Sequence, residues 1–128
     1  MIYSVELEIP PQTTKLLAVE ATLEANVGTV SQVWVRWRWG SGNLCGVSIS
    51  HEGVQIWPTS GDQWFPSNVA EMTWQESYVI DDYPLDFVVR AYNADDSFPH
   101  TVWVAVNVQT PAESSDVTRF VQMLTIGA

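Results

Sequence analysis

Strict alternation of apolar and polar residues between Leu85 and Gln109 constrains the fold of this chain more than any other feature. Residues 85–93 read LDFVVRAYN and residues 101–109 read TVWVAVNVQ, and the mostly polar seven-residue break between them includes a proline. A period of two with β-branched and aromatic residues predicts β-strands, and the short break predicts a hairpin of two antiparallel strands. Because a lone hairpin is not stable in water, the rest of the chain must supply a second layer to cover its apolar face.

Short segments with the same alternation occupy most of the remaining chain. They cover residues 2–9, 17–25, 30–39, 44–50, 54–57 and 69–80, and turn signals rich in Gly, Pro, Asn and Asp separate them. About eight short strands with a turn signal about every 8–12 residues are typical of an antiparallel β-sandwich or a jelly-roll-like barrel. We therefore predict an all-β, jelly-roll-like sandwich domain over residues 1–109.

Residues 110–128 differ in character from this domain. After a linker that reads PAESS, Asp116 can cap a short helix. The apolar face of that helix would carry Val117, Phe120, Val121 and Leu124. Reading residues 117–126 as an added strand fits nearly as well. We predict a C-terminal arm that docks on a neighbouring subunit through Phe120 and Leu124; the alternative is that it folds back on its own sandwich.

The length and the cysteine count indicate one self-sufficient domain. A chain of 128 residues buries about two thirds of its unfolded surface, so it needs neither metal nor disulfide for stability. Cys45 is the single cysteine, which excludes an internal disulfide and fits a small buried hydrophobic side chain. The first residues have no basic region and no apolar run, so we expect no secretory signal. No window approaches about 18 consecutive apolar residues, so we expect no transmembrane segment.

Acidic residues dominate the charge. Fifteen acidic residues face five basic ones, for a net charge of −10. Such a charge argues against nucleic acid and against anionic membrane surfaces, which both attract cationic proteins. It fits solubility through like-charge repulsion, and it also fits a cationic partner surface or bound divalent cations. The seven tryptophans are more than one small core is expected to bury, and tryptophan is enriched at contact sites.

One end of the predicted sandwich collects the candidate partner-binding residues. In an antiparallel meander, successive connections fall at alternate ends, which places residues 10–16, 40–43, 58–68 and 93–100 together. These connections carry the aromatic and histidine side chains Trp64, Phe65, Phe98 and His100. Aromatic residues among short polar loops are a common binding surface of sandwiches, so we predict that a partner binds there.

A second candidate binding surface lies on the third predicted strand. Arg36 and Arg38 share one strand face with Trp34, where a guanidinium group can stack on the indole ring. The alternative is cross-strand ion pairing of the two arginines, for which the sequence offers four acidic residues. These are Glu6, Glu8, Glu20 and Glu24.

Metal binding and catalysis are weakly supported by the sequence. An oxygen-rich calcium site could form from Asp62, Asn93, Asp95 and Asp96, although the turn chemistry of Asp and Asn explains the same residues. His51 and His100 fall at opposite ends, which argues against a two-histidine metal site. We predict no metal and no other cofactor.

No phosphate-binding glycine loop, serine nucleophile motif or paired Cys and His is present. Two carboxylates such as Glu71 and Glu76 could serve a glycosidase, but they are five residues apart and so point to opposite faces. We therefore predict that the protein is not an enzyme.

Two binding functions fit the sequence. One is a carbohydrate-binding module, in which planar indole rings stack on sugars; its candidates are Trp34, Trp57, Trp64 and Trp103. The other is an oligomeric structural subunit. The chain begins with Met1 and shows neither a signal nor an attached catalytic domain, which favours the second function. In architecture and composition, though by no motif, the chain resembles small acidic all-β accessory proteins of virus particles, such as capsid decoration proteins. We predict a subunit that decorates or stabilises a phage particle, with localisation on the virion.

Overall fold

The computed structural model describes residues 1–110, which form nine β-strands and no helix. The strands are β1 Ile2–Ile9, β2 Val19–Leu23, β3 Gly28–Trp37, β4 Cys45–His51, β5 Val54–Trp57, β6 Phe65–Pro66, β7 Glu71–Ile80, β8 Phe87–Asn93 and β9 His100–Gln109. No helix within this part of the chain is long and apolar enough to cross a membrane. The predicted arm, with Phe120 and Leu124, lies outside the described residues.

The nine strands form two antiparallel sheets. The first sheet has the order β1-β9-β3-β7, and the second has the order β2-β8-β4-β5, with β6 paired to the other part of β4. The apolar faces of both sheets meet in one continuous core. This arrangement confirms the all-β sandwich that the alternation of apolar residues predicts.

The predicted hairpin between residues 85 and 109 is wrong. Strand β8 pairs with β2 and β4 in the second sheet, whereas β9 pairs with β1 and β3 in the first. The connection between them therefore crosses from one layer to the other. Alternation shows which face of a strand is buried, but both layers face the same core, so it cannot show which layer a strand joins.

Four valines of β9 form a row that faces the core. Val102, Val104, Val106 and Val108 are at most 1% exposed. On β3, a register shift between Val30 and Gln32 marks a bulge, so Val30 and Val33 are both fully buried. The strand predicted to continue to residue 39 ends at Trp37, and Trp39 is 100% exposed. The turn after the strand carries Trp39 away from the core.

The strand directions gather the connections at two ends. Pairing of Ile9 with His100 and of Cys45 with Asn93 places residues 10–18, 38–44 and 94–99 at one end, which we call the loop end. Residues 24–27, 52–53 and 81–86 lie at the opposite end. The predicted grouping of residues 10–16, 40–43 and 93–100 is therefore confirmed. The segment 58–68, also predicted at this end, runs along the second sheet, where its strand β6 pairs with Gly46 and Val47 of β4.

Candidate functional site

The loop end exposes large apolar side chains. We call Leu16, Leu17, Trp39 and Phe98 the loop-end apolar cluster. Trp39 is 100% exposed, Leu16 is 87% exposed and Phe98 is 66% exposed. Exposed apolar groups in a common region of a folded domain mark surfaces that bind partners, because each one costs free energy in water.

Backbone hydrogen bonds hold the connections of the loop end against one another. Gln12 N donates to Asp95 O at 2.8 Å, and Ala94 N donates to Leu44 O at 2.8 Å. Arg38 N donates to Thr101 O at 2.9 Å, which fixes the chain directly before Trp39. The apolar cluster therefore stands on connections that are bonded to each other and to the sheets.

The side chain of Asn93 is the centre of a buried hydrogen-bond network beneath the loop end. The Asn93 side chain is fully buried; its Nδ2 donates to Ile9 O at 3.1 Å and to Phe98 O at 2.9 Å. Its Oδ1 accepts hydrogen bonds from Asp95 N at 2.9 Å and from Cys45 Sγ at 3.3 Å. Burial raises the pKa of the Cys45 thiol to about 11. At neutral pH this thiol is a protonated hydrogen-bond donor, which is unsuited to nucleophilic attack.

His100 points into the loop end, where it orders the connection between β8 and β9. It is 8% exposed, and its Nε2 lies 2.8 Å from Asp95 Oδ2. Asp95 Oδ1 accepts hydrogen bonds from Ser97 N at 2.9 Å and from Phe98 N at 3.3 Å. These backbone donors, first Ser97 N, together with His100 lower the pKa of Asp95. His100, predicted to bind a partner, is nearly buried and bonds Asp95, which in turn holds the backbone of the exposed Phe98.

The oxygen-rich calcium site receives no support from these contacts. The oxygen atoms of Asn93 and Asp95 accept hydrogen bonds from neighbouring groups of the chain. Within residues 1–110, no group of three or more His, Cys, Asp or Glu side chains is placed to hold a metal ion. Turn chemistry accounts for Asp95, as its two oxygens bond the connection that follows it.

Trp64 and Phe65 point in different directions, although the sequence predicts one exposed aromatic pair. Phe65 belongs to β6, is partly buried and packs at 5.0 Å from the Trp74 ring. Trp64 lies on the outer side of the second sheet, with its ring 5.0 Å from that of Tyr92 and 5.8 Å from the Arg90 guanidinium. Successive residues of a strand face opposite sides, so the pairing of β6 with β4 separates them.

Arg36 and Arg38 form ion pairs on the outer face of the first sheet. Arg38 Nε donates to Glu6 at 3.0 Å, which is one of the predicted cross-strand pairs. Arg36 pairs with Glu71 at 3.1 Å, an acidic residue that the prediction did not include. The Arg36 guanidinium lies 5.2 Å from the centre of the Trp103 ring, so it stacks there and not on Trp34. A cavity of about 240 Å³ is lined by Glu6, Arg36, Trp37, Arg38 and Trp103.

Among the tryptophans proposed to stack on sugars, Trp57 is only 4% exposed. Its ring packs edge-on against Trp74 at 6.3 Å and Tyr78 at 5.7 Å. Tyr78 in turn lies 2.6 Å from His51 Nδ1, whose other ring nitrogen is 2.8 Å from Pro84 O. These residues form a buried aromatic group between β5 and β7, so Trp57 offers no ring face to a ligand.

Two features of the surface do not follow from the sequence pattern. The pattern places Trp39 at the end of a strand, although the Gly-Ser-Gly that follows it is a turn signal directly at that point. The contact of Arg36 with Trp103 joins β3 to β9, which are more than sixty residues apart. No local signal in the sequence could show that contact.

Comparison with known proteins adds no family to this description. No family model matches the chain, and neither a curated protein nor a solved structure matches it.

Proposed function

We propose that this protein is a non-enzymatic structural subunit of a larger protein assembly, such as a virus particle, and that copies of it associate through the loop end. The observation that carries this proposal is the loop-end apolar cluster, in which Trp39 is 100% exposed. Burying one tryptophan side chain of about 200 Å² removes roughly 5 kcal/mol of unfavourable hydration before the costs of association are subtracted.

The rigidity of the loop end supports the same proposal. Its connections are joined by backbone hydrogen bonds, and Asn93 and Asp95 hold the chain on which Phe98 stands. Apolar groups presented by an ordered surface lose little conformational entropy on binding. The protonated state of the Cys45 thiol supports a non-catalytic role for the one cysteine. Docking of the C-terminal arm through Phe120 and Leu124 stays a prediction.

The test is the solution mass of the chain by light scattering over a concentration series. We expect a wild-type mass of at least twice the monomer mass of 14.3 kDa. The double variant Trp39→Ser/Phe98→Ser should shift the mass to that of the monomer, because it removes apolar area from the contact. The matched control is Val54→Ser/Tyr83→Ser, since these residues are 64% and 80% exposed at the opposite end.

The control variant should retain the wild-type mass, and circular dichroism should show that both variants are folded. A wild-type monomer at every concentration would overturn self-association. Equal loss of mass in both variants would overturn the assignment of the contact to the loop end.

A further inference from the structure

The outer face of the first sheet carries two tryptophans in neighbouring cross-strand rows. One row pairs Ser4 with Ala105, Ala105 with Trp34, and Trp34 with Thr73. The next row pairs Glu6 with Trp103, Trp103 with Arg36, and Arg36 with Glu71. Trp34 and Trp103 are therefore diagonal neighbours, close enough for large side chains to form one surface. We call Trp34, Trp103 and Ala105 the tryptophan face.

The burial of Ala105 indicates that large side chains cover this part of the outer face. Val104 and Val106, on either side of it, fill the core, so Ala105 points outward. It is nevertheless 0% exposed. The largest side chains on the adjoining outward positions are Trp34, opposite it, and Trp103, two residues before it, and both are placed to cover it. Both tryptophans are partly exposed.

Polar groups of both signs border this apolar strip. The Arg36 and Arg38 side chains are 56% and 72% exposed, and the paired Glu71 and Glu6 side chains are 56% and 48% exposed. The pair with Glu71 engages one nitrogen of Arg36, Nη2, so further N–H groups of its guanidinium can donate to a ligand. Each carboxylate can likewise accept more than one hydrogen bond.

From this juxtaposition we propose that the tryptophan face binds a neutral glycan. A pyranose ring has an apolar face of C–H groups, which matches the indole of Trp34, and hydroxyl groups at its rim that both donate and accept hydrogen bonds. The Trp103 ring already has the Arg36 guanidinium over it, so Trp103 borders the bound sugar. The cavity of about 240 Å³ lined by Glu6, Arg38 and Trp103 receives those hydroxyl groups. The positive charges of Arg36 and Arg38 are balanced by the carboxylates of Glu71 and Glu6, so these four residues together carry no net charge. The net charge of −10 repels an acidic sugar. The ligand is therefore an uncharged sugar chain.

The test is isothermal titration of the full chain with four neutral hexasaccharides, namely cellohexaose, maltohexaose, xylohexaose and mannohexaose. We expect at least one of them to bind with a Kd below about 1 mM. In proton–nitrogen NMR spectra, the indole N–H signals of Trp34 and Trp103 should then shift. Trp34→Ala should weaken binding about tenfold or more, because stacking on an aromatic ring contributes about that factor.

Tyr83→Ala is the control, since it removes an exposed aromatic side chain at the end opposite the loop end, away from the tryptophan face, and should leave the Kd unchanged. Trp34→Phe keeps a smaller ring beside Ala105 and should bind with intermediate affinity, which covers the case that Trp34→Ala does not fold. Failure of all four sugars to bind at 10-fold the stated limit, about 10 mM, would overturn the proposal. So would an equal loss of affinity in Tyr83→Ala.

This inference is independent of the proposed assembly function, which concerns the loop end. Glycan binding by a chain that is monomeric at every concentration would support the inference and overturn self-association. An oligomer that binds none of the four sugars would support self-association and overturn glycan binding.

Discussion

At the scale of single residues, Gly46 shows how one missing side chain shapes the second sheet. A Cβ atom at this position would lie 2.4 Å from Tyr92 Cε1, so the tyrosine ring rests directly on the glycine backbone. The same ring is in contact with Trp64 at 5.0 Å and lies 5.1 Å from the Lys15 amino group. Burial in this position raises the pKa of Tyr92. The packing of Tyr92 with Trp64 and Lys15 on the outer face of the second sheet therefore depends on the absence of a side chain at Gly46.

Gly46→Ala should destabilise the fold by about 1–3 kcal/mol, because Tyr92 and the side chains on it must move. The measurement is the free energy of unfolding from urea titration. Gly61→Ala is the matched control, since a Cβ at Gly61 meets nothing within 4 Å, and it should change stability by less than about 0.5 kcal/mol. Equal stability of the two variants would contradict the role of the Tyr92 ring.

At the scale of elements, the connection between β8 and β9 decides how the two layers are joined. Asn93, the last residue of β8, bonds Ile9 O in β1 and Phe98 O in the connection itself. It thus links the second sheet, the first sheet and the crossing chain through one buried amide. Its position at 0% exposure makes these bonds hard to replace with water.

Asn93→Ala should lower the free energy of unfolding by about 2–4 kcal/mol, because it leaves buried carbonyl and N–H groups without their partner. Urea titration followed by tryptophan fluorescence measures the loss. The exposed Asn68→Ala provides the control, with an expected change below about 0.5 kcal/mol. A wild-type midpoint for Asn93→Ala would mean that water satisfies these groups and that the amide does not hold the layers together.

At the scale of the whole molecule, charge opposes the association that the apolar cluster favours. The net charge is −10, and Arg36, Arg38 and Arg90 are each paired with a glutamate of the same chain. Copies of the protein therefore repel each other over distances that depend on ionic strength. Apolar contacts at the loop end would act only at short range, where this repulsion is largest.

Raising the NaCl concentration from about 0.02 M to about 0.5 M should strengthen self-association, because salt screens the repulsion between acidic chains. We expect the dissociation constant from light scattering to fall several-fold over this range. The Trp39→Ser/Phe98→Ser variant should remain monomeric at both salt concentrations. Weaker association at high salt would instead indicate ion pairs between subunits.

The sequence by itself determined the strands, the class of fold and much of the core. Alternation between Leu85 and Gln109 correctly assigns the inward positions of β8 and β9, and residues 10–16, 40–43 and 93–100 fall at one end as predicted. Glu6, the partner of Arg38, is one of the four acidic residues that the sequence offers for cross-strand pairing. These features depend on a period of two along the chain, which is a local property.

Only the tertiary structure decided which strand lies beside which, and with it the composition of each surface. The two strands of the predicted hairpin belong to different layers. Phe65 and His100 are directed inward, whereas Trp39 is fully exposed. Trp103 of β9 contacts Arg36 of β3. The physical reason is that strand pairing joins residues far apart along the chain through backbone groups that every residue carries. Side-chain alternation determines which face of each strand is buried, and the packing of all nine strands together determines which strands lie beside each other.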